Sequence, residues 1–194
     1  MNILTEELVS SRTTLSNLLV PVPTVVTTFD GNEIPNAFTL SHATAIHWKP
    51  PSILISIDPE NKSTMNIIAT KKFTVNVLRK GKLGKKIAGG VGYLSGYDLN
   101  KFSELEYLEE TKINSKESWP PVVKGAILAF HCELIKEYDY NNLALCIGEI
   151  KETRMIKELK NIEEMEDRSK IWRFFEELAL THADLYEYLQ IKEK

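Results

Sequence analysis

The sequence predicts a mainly β protein with peripheral helices, built around an antiparallel barrel. Two observations indicate this fold class. Up to about residue 80, short β-branched segments end at tight turn signals, and further along two long apolar segments flank the turn sequence DYNN. Short strands joined by tight turns favour antiparallel pairing over alternating βαβ units.

The first half of the chain predicts four strands and one short helix. Asp30-Gly31-Asn32 is a strong hairpin signal, so the segment after it can return as the partner of the first strand. The helix is predicted at STMNIIAT (63–70), where a hydroxyl residue precedes apolar residues at helical spacing. The four strands carry many β-branched residues: TVVTTF (24–29), EIPNAFTLS (33–41), SILISI (52–57) and KFTVNVL (72–78).

Loops and short helices are predicted from residue 79 to residue 121, where most of the glycines lie. Within them, GVGYLSG (90–96) has the spacing GxGxxxG. No clear strand precedes it as a Rossmann dinucleotide site requires, so a flexible loop is predicted. AILAFHCELIKEY (126–138) and LALCIGEIKETRMI (143–156) then predict a long hairpin. We expect His131 to point outward from the first of these two strands.

The residues after 160 predict a helical extension (161–194) that follows a β domain (1–160). Apolar residues and one histidine recur there at spacings of four and three, which is typical of an amphipathic helix over about 163–189. Such a helix must bury its apolar stripe against its own barrel or against a second subunit. The stripe comprises Ile171, Phe175, Leu178, His182, Leu185 and Leu189, with His182 expected to be a hydrogen-bonded core residue.

Composition argues against several function classes. The net charge is −3 without a long run of one sign, which speaks against a nucleic-acid surface. No segment reaches the roughly 18 apolar residues needed to span a bilayer, and the N-terminus lacks the basic region of a signal peptide. Two cysteines are too few for a disulfide scaffold, so we predict buried thiols in a cytoplasmic protein. The predicted hairpin could bring Cys132 and Cys146 face to face.

The chain is poor in residues for acid–base or metal chemistry. His42 and His47 have no third metal ligand at familiar spacing, and no Ser-His-Asp signature or carboxylate pair is readable. No catalytic or metal-binding residue is therefore assigned, which favours a binding protein or an enzyme whose cofactor carries the chemistry. Lys62, Ser63 and Thr64 lie where a helix begins, a position that attracts phosphate; plain N-capping by Ser63 is the alternative.

Seven segments follow one another in order between about residue 21 and residue 153: VPTVVTT, PNAFTLSHATAIHWKPPSILISI, NKSTMNI, FTVNVL, SGYDLNKF, PPVVKGAILAFHCELI and LCIGEI. Together they resemble the flavin reductase-like family, which includes flavoredoxin-like proteins. The resemblance implies an antiparallel split β-barrel of the FMN-binding type, an FMN cofactor and a homodimer. The last helix lies outside the resemblance.

The resemblance also implies site residues. The strand after the first turn and the segment following it are implied to run along the flavin ring, with small side chains that let the backbone approach. Lys62 is implied to be the main cation at the FMN phosphate, because Asp58 and Asn61 stand where some relatives carry arginine. The implied ring residues are Asn36, Thr39, Leu40, Ser41, His42 and Ala43, and the implied phosphate residues are Asn61, Lys62, Ser63 and Thr64.

The implied function is hydride or electron transfer through flavin N5, from NAD(P)H to flavin or another acceptor. Many relatives carry a histidine within Gly-Asp-His before the last strand, where Asn141, Asn142 and Leu143 stand here, so NAD(P)H use is less directly implied than flavin binding. Two alternatives stay open: a flavoredoxin-like electron carrier without NAD(P)H activity, and a non-catalytic flavin-binding protein. The expected partners are small molecules or a redox protein, with no nucleic acid and no membrane.

Overall fold

The computed structural model describes residues 22–111, 117–156, 177–181 and 183–185. Most of their strands form one seven-stranded antiparallel sheet, and two short strands pair separately. In chain order the strands are β1 (Thr24–Phe29), β2 (Pro35–Leu40), β3 (Ala43–Trp48), β4 (Pro51–Ile57), β5 (Lys72–Leu78), β6 (Glu110–Thr111), β7 (Val122–Val123), β8 (Ala126–Tyr140) and β9 (Leu143–Met155). The helices are α1 (Lys62–Thr70), α2 (Lys82–Tyr93) and α3 (Lys101–Glu104).

The large sheet has the order β2-β1-β5-β8-β9-β4-β3. The mainly β, antiparallel prediction is confirmed, but the sheet is not closed, since β2 and β3 stand at its two ends. Only Ser41 and His42 connect β2 with β3. The Cα atoms of Leu40 and Ala43 are therefore at most about 10–11 Å apart, so the end of β2 and the start of β3 must lie close together. The sheet is therefore strongly curled without being hydrogen-bonded into a closed barrel.

Strand β3 was not predicted from the sequence. It pairs with β4, with Ala43 opposite Ile55, and almost all of its side chains are exposed. Trp48 is 87% exposed. A strand without a buried face has no reason to alternate apolar and polar residues, so the usual sequence signal is missing.

The helix predicted at 63–70 is confirmed as α1, which begins one residue earlier. The flexible loop predicted at 90–96 is wrong in its first half, because residues 90 to 93 form the last turn of α2. Ile87 and Val91 of α2 pack in the core, and a Cβ at Gly90 would overlap the Tyr107 hydroxyl. The glycines thus serve close packing at the C-terminal end of a helix, whereas a Rossmann site needs them before a helix. No helix within the described ranges combines the length and apolar composition needed to cross a membrane.

His131 was expected to face outward, and this prediction is wrong, because the side chain is completely buried. Its ring stacks on Trp119 at 5.4 Å between centroids. The Thr74 hydroxyl donates to the carbonyl of Pro120, so the His131 Nδ1–H donates to the Thr74 oxygen, at 2.8 Å. Burial lowers the pKa of His131 to about 4, with Arg154 adding to the shift and Glu152 opposing it. The histidine is therefore a neutral structural residue that helps hold the segment Trp119–Pro120 on the sheet.

Both cysteines are free and buried, as predicted. They do not face each other across the hairpin, since Cys132 lies opposite Ile150 and Cys146 lies opposite Glu137. Burial raises the pKa of both thiols, that of Cys146 to about 11. Neither side chain therefore has the thiolate character that reactive cysteines need.

The C-terminal segment packs on its own chain where the structure describes it. Leu180 N donates to Leu78 O at 2.9 Å, and Lys80 N donates to Leu178 O at 2.6 Å. Ala179 forms a β-bridge with Arg79, so the prediction of an unbroken helix over 163–189 is wrong at 179–181. Backbone pairing with the end of β5 replaces the helical hydrogen bonds there.

Side chains of the same segment complete this docking. Leu180 is completely buried and Leu185 nearly so, in a cluster with residues of α2 and β5. The Asp184 carboxylate lies 3.3 Å from Lys80 Nζ and accepts hydrogen bonds from Thr181. The described part of the extension therefore packs on the sheet and on α2 of its own chain. The other stripe residues, Ile171, Phe175, His182 and Leu189, lie outside the described residues.

Candidate functional site

A cavity of about 180 Å³ lies where β2, the start of α1, the end of α2 and the segment before α3 meet. More than half of the lining residues that the structure describes are polar, and none of them is a carboxylate. The lining residues are Asn36, Phe38, Thr39, Asn61, Lys62, Ser63, Val91, Gly92, Leu94, Ser95, Gly96, Tyr97 and Lys101.

A larger cavity of about 590 Å³ lies beside β8 and β9. Its lining is largely strand residues such as Ile127 and Leu128, and reaches Thr111 and Ile156, where described ranges end. We take the smaller cavity as the candidate site, because its lining includes residues that the resemblance implied, such as Lys62 and Ser63.

The cavity brings together five of the ten residues that the resemblance implied. Asn36, Thr39, Asn61, Lys62 and Ser63 all line it, although they come from two segments that are 20 or more residues apart in the sequence. Ring-segment and phosphate-segment residues therefore share one surface. Their contact with a flavin stays a prediction.

The other five implied residues lie outside this lining. Leu40 is buried in the core, and the Thr64 hydroxyl donates to the carbonyl of Asp58 at 2.6 Å, which is a structural role at the start of α1. The remaining three are Ser41 and His42, which link β2 to β3, and Ala43, which begins β3. His42 is exposed.

A hydrogen bond joins the two halves of the site. Asn36 Nδ2 donates to Ser63 Oγ at 2.8 Å, and both side chains are buried. Gly96 packs so closely on Asn36 that an added Cβ would overlap its amide. The amide is thus fixed between β2 and α1, and the Ser63 hydroxyl keeps its own hydrogen for a further acceptor.

The start of α1 faces the cavity. Asn61 is the N-cap, in an extended conformation and without a side-chain capping hydrogen bond, so the alternative that Ser63 caps this helix is wrong. The first N–H groups of a helix lack intrahelical acceptors and carry partial positive charge. Lys62, half-buried beside them, adds a full charge. This end of the cavity can hold an anion.

Lys101 is a second cation in the cavity, and the sequence did not reveal it. Its side chain is only 3% exposed, and Nζ donates to the carbonyls of Ala37 at 2.7 Å and Val91 at 2.8 Å. Burial lowers its pKa to about 8. An ammonium has three donors, so one remains after these two bonds. No carboxylate of the described ranges forms an ion pair with Lys101, which leaves its charge to an anionic ligand.

Tyr97 stands at the rim of the cavity and was also missed. Its hydroxyl donates to the carbonyl of Glu60 at 3.1 Å, and the side chain is 62% exposed. This bond holds the segment after α2 against the loop before α1. The Tyr97 side chain therefore connects the two segments that flank the cavity opening.

Metal chemistry finds no support in the described part of the chain. His42 and His47 are both exposed, and His47 Nδ1 lies 3.1 Å from the carbonyl of Pro50. Within the described ranges there is no group of three histidine, cysteine or acidic side chains that could hold a metal ion.

Comparison with known proteins identifies the family of this chain. The family model described as "Flavin reductase like domain" matches residues 19–169. The NADH-dependent FAD reductase of Streptomyces globisporus is 22% identical over 130 residues, which cover 67% of this chain and 68% of that protein.

Solved structures with the same fold include the flavoredoxin of Desulfovibrio vulgaris (Miyazaki F), with a TM-score of 0.68, 21% identity, and coverage of 86% of this chain and 85% of that chain. An FMN-binding protein from Thermus thermophilus has a TM-score of 0.65, 18% identity and 85% coverage of both chains. Since the family model spans most of the sequence, and the fold agrees, the chain belongs to the flavin reductase like domain family.

Proposed function

We propose that the protein binds FMN at this cavity and acts as a flavin reductase-like oxidoreductase, which passes hydride or electrons from NAD(P)H to flavin or another acceptor. The observation that carries the proposal is the donor set: Lys62 and Lys101 together with the open start of α1, in a cavity whose described lining residues include no carboxylate. Two ammonium groups and the free N–H groups of a helix start attract a phosphate and donate hydrogen bonds to its oxygens. When bound, the flavin would supply the hydride chemistry at N5.

The protein's own residues would bind and orient this ligand. Lys62, Lys101, the Ser63 hydroxyl and the first N–H groups of α1 would hold the phosphate. Asn36, which is held by its hydrogen bond to Ser63, would lie between the phosphate and the flavin ring. The cavity is smaller than the roughly 300–1,000 Å³ of most small-molecule sites, so the ring would lie outside it.

We place the ring along the curled edge of the sheet, beside Thr39 and the link Ser41–His42, where the backbone is within reach. Backbone N–H groups there would stabilise negative charge on the reduced ring. A homodimer belongs to this proposal, since a second subunit would cover a ring that the cavity leaves open.

Flavin titration followed by a turnover assay tests the proposed function. We expect added FMN to bind with quenched fluorescence and a shifted visible spectrum, and NADH or NADPH to be consumed steadily when free flavin is supplied. No binding of FMN up to millimolar concentration would contradict the proposal at its root.

A flavoredoxin-like electron carrier is the second candidate. Asn141 and Asn142 form the tight turn between β8 and β9, with positive φ angles of 46° and 62°. They stand where many relatives carry a histidine within Gly-Asp-His, so this part of the chain offers no imidazole for a nicotinamide. FMN binding without consumption of NADH or NADPH would favour the carrier.

The affinity for FMN should fall as pH rises above about 8. Lys101 is protonated below its pKa of about 8 and neutral above it. Only the protonated form attracts phosphate, so the dissociation constant should increase by up to about tenfold per pH unit above that pKa. Calorimetric titration with FMN from about pH 7 to about pH 9 measures this, because the phosphate itself stays fully ionised above its pKa of about 6.

The Lys101→Met variant is the matched control for this pH dependence. Its dissociation constant should be raised at pH 7 and should change little with pH over the same range. A wild-type affinity that is constant across the range would show that Lys101 does not contact the anion.

A further inference from the structure

Positive charge is concentrated in one long stretch of the chain. Between Glu60 and Asp98 the sequence contains eight lysine or arginine residues and no aspartate or glutamate. The whole chain has a net charge of −3, so the rest of the sequence is acidic. Such a separation of charge produces a local positive field on a negative molecule, and this field attracts negatively charged partners.

Five of these cations follow one another at the end of β5 and the start of α2. Lys82 and Lys86 are about one turn apart on the same side of α2, and both are exposed. Neither forms an ion pair with another residue of the described ranges, whereas Lys80 Nζ lies 3.3 Å from the Asp184 carboxylate. We call the surface formed by the five cations the basic patch: Arg79, Lys80, Lys82, Lys85 and Lys86.

The basic patch has a concave centre. A cavity of about 200 Å³ opens there, and none of its described lining residues is a carboxylate. It is smaller than the roughly 300–1,000 Å³ of most small-molecule sites, so it suits a single protruding side chain better than a whole cofactor. Leu83 lines it and is 43% exposed. An apolar centre with a charged rim is typical of a surface that binds another protein.

A protein fits this surface better than a nucleic acid or a membrane. A nucleic acid needs many phosphate contacts, but Lys80 is already paired and the acidic remainder of the chain would repel a long polyanion. A helix that lies on a membrane needs a broad apolar face, and on the first two turns of α2 only Leu83 is a large exposed apolar residue. An acidic protein surface of limited size meets both conditions.

The basic patch lies at the same end of the sheet as the link between β2 and β3. Thr24 pairs with Leu40 of β2 on one side and with Val77 of β5 on the other. Neighbouring strands are about 4.8 Å apart, so the backbones of Leu40 and Val77 are separated by about 10 Å. The link Ser41–His42 follows directly after Leu40, and the basic patch begins two residues after Val77. A protein bound to the patch would therefore stand close to the position proposed for the flavin ring.

From these observations we propose that the basic patch is the docking surface for a small acidic electron-transfer protein. The inference rests on the proposed function and deepens it, since it assigns the acceptor to a class of protein. Each docked acceptor would take one electron. Two encounters would therefore return one two-electron-reduced flavin anion to its oxidised form and release one proton to water.

Binding of an acidic [2Fe–2S] ferredoxin to the FMN-loaded protein, measured by calorimetry, tests the proposal. We expect a complex at about 10 mM salt that weakens at least about tenfold at about 150 mM, because the screening length falls from about 30 Å to about 8 Å. The double variant Lys82→Glu, Lys86→Glu should weaken the complex about tenfold or more at low salt, since it places like charges opposite each other. Its affinity for FMN should be unchanged, because neither lysine lines the flavin cavity.

The double variant Lys49→Glu, Lys136→Glu is the matched control. It changes the net charge by the same amount, and both lysines are exposed. They lie in the turn after β3 and on β8, outside the basic patch. This variant should keep most of the affinity for ferredoxin. Cytochrome c, a basic redox protein, should not bind to the wild type at either salt concentration.

Three results would contradict the proposed docking surface. Absence of a ferredoxin complex at low salt would exclude it directly, and equal weakening by the two double variants would mean a general effect of net charge. A complex with a short DNA duplex or with anionic vesicles, in place of ferredoxin, would assign the patch to that class of partner instead.

Two further results separate this inference from its alternatives. Ferredoxin binding that arises only when Glu163 and Glu164 are replaced by glutamine would mean that the chain's own acidic run at 163–167 occupies the patch, which overturns the proposal of a separate partner. Normal FMN binding without ferredoxin binding overturns this inference alone. Ferredoxin binding without FMN binding would overturn the proposed function, and with it the electron-transfer role of the partner.

Discussion

Replacing Leu180 with alanine should lower the free energy of unfolding by about 2–5 kcal/mol, the usual cost of removing a completely buried leucine. Leu180 is 0% exposed and packs in a cluster with Leu78, Ile87 and Val91. The alanine would leave an empty volume in this cluster, and surrounding side chains usually close such a volume only in part. For a chain of this length the melting temperature should fall by roughly 4–20 °C.

Leu143→Ala is the matched control, since Leu143 begins β9 and is 39% exposed. It should cost less than about 1 kcal/mol, as surface substitutions usually do. Urea denaturation of both variants, monitored by circular dichroism, gives the two free energies of unfolding for comparison. Equal stability of the two would show that the C-terminal segment does not dock on β5 in solution.

The same cluster connects the extension to the candidate site. Val91 belongs to it, lines the cavity and provides one of the two carbonyls that hold Lys101. Loss of the Leu180 side chain should therefore loosen the wall of the cavity as well as the C-terminal segment. We expect Leu180→Ala to bind flavin more weakly than the wild type, even when the affinity is measured well below the melting temperature of the variant.

Elements with strong local signals could be predicted from the sequence. The predicted strand KFTVNVL coincides with β5, and the turn at Asp30 is confirmed by the Asp30 carboxylate, which accepts hydrogen bonds from the N–H groups of Asn32 and Ile34. Both depend on residues adjacent in sequence. The C-terminal helix was predicted by the same kind of periodicity and failed at 179–181, because backbone pairing with β5 outweighs a local preference there.

The candidate site was only partly predictable for a related reason. Asn36, Lys62 and Ser63 belong to segments whose order resembles a family, so the sequence named them. Lys101 looks like any surface lysine at the start of a short helix, and only the fold buries it beneath Ala37 and Val91. The charge of the cavity depends on which segments, distant in sequence, the fold brings together. A single sequence does not reveal these contacts.

Lys62→Ala should weaken FMN about ten- to hundredfold and riboflavin by less than about threefold. Riboflavin has the same ring and ribityl chain but lacks the phosphate. A hydrogen bond to a charged group is worth roughly 1.5–3 kcal/mol, and each 1.4 kcal/mol is about tenfold in affinity. Lys62 lines the cavity at the start of α1, and none of the lining residues within the described ranges is a carboxylate, so its charge should be directed to the phosphate.

Lys82→Ala is the closest control that the chain offers, because Lys82 is likewise the first residue of a helix whose N-cap makes no side-chain hydrogen bond. It lies outside the cavity lining, so both ligands should bind to this variant as they bind to the wild type.

Fluorescence titration of the two variants with FMN and riboflavin separates three cases. Selective loss of FMN with Lys62→Ala assigns the phosphate to this lysine. Equal loss of both ligands would place Lys62 at the ring or in support of the fold, and no loss of either would leave Lys101 and the helix start as the phosphate-binding groups. The last case has a physical meaning of its own, since a buried cation is screened less by water than a half-buried one and could carry the interaction alone.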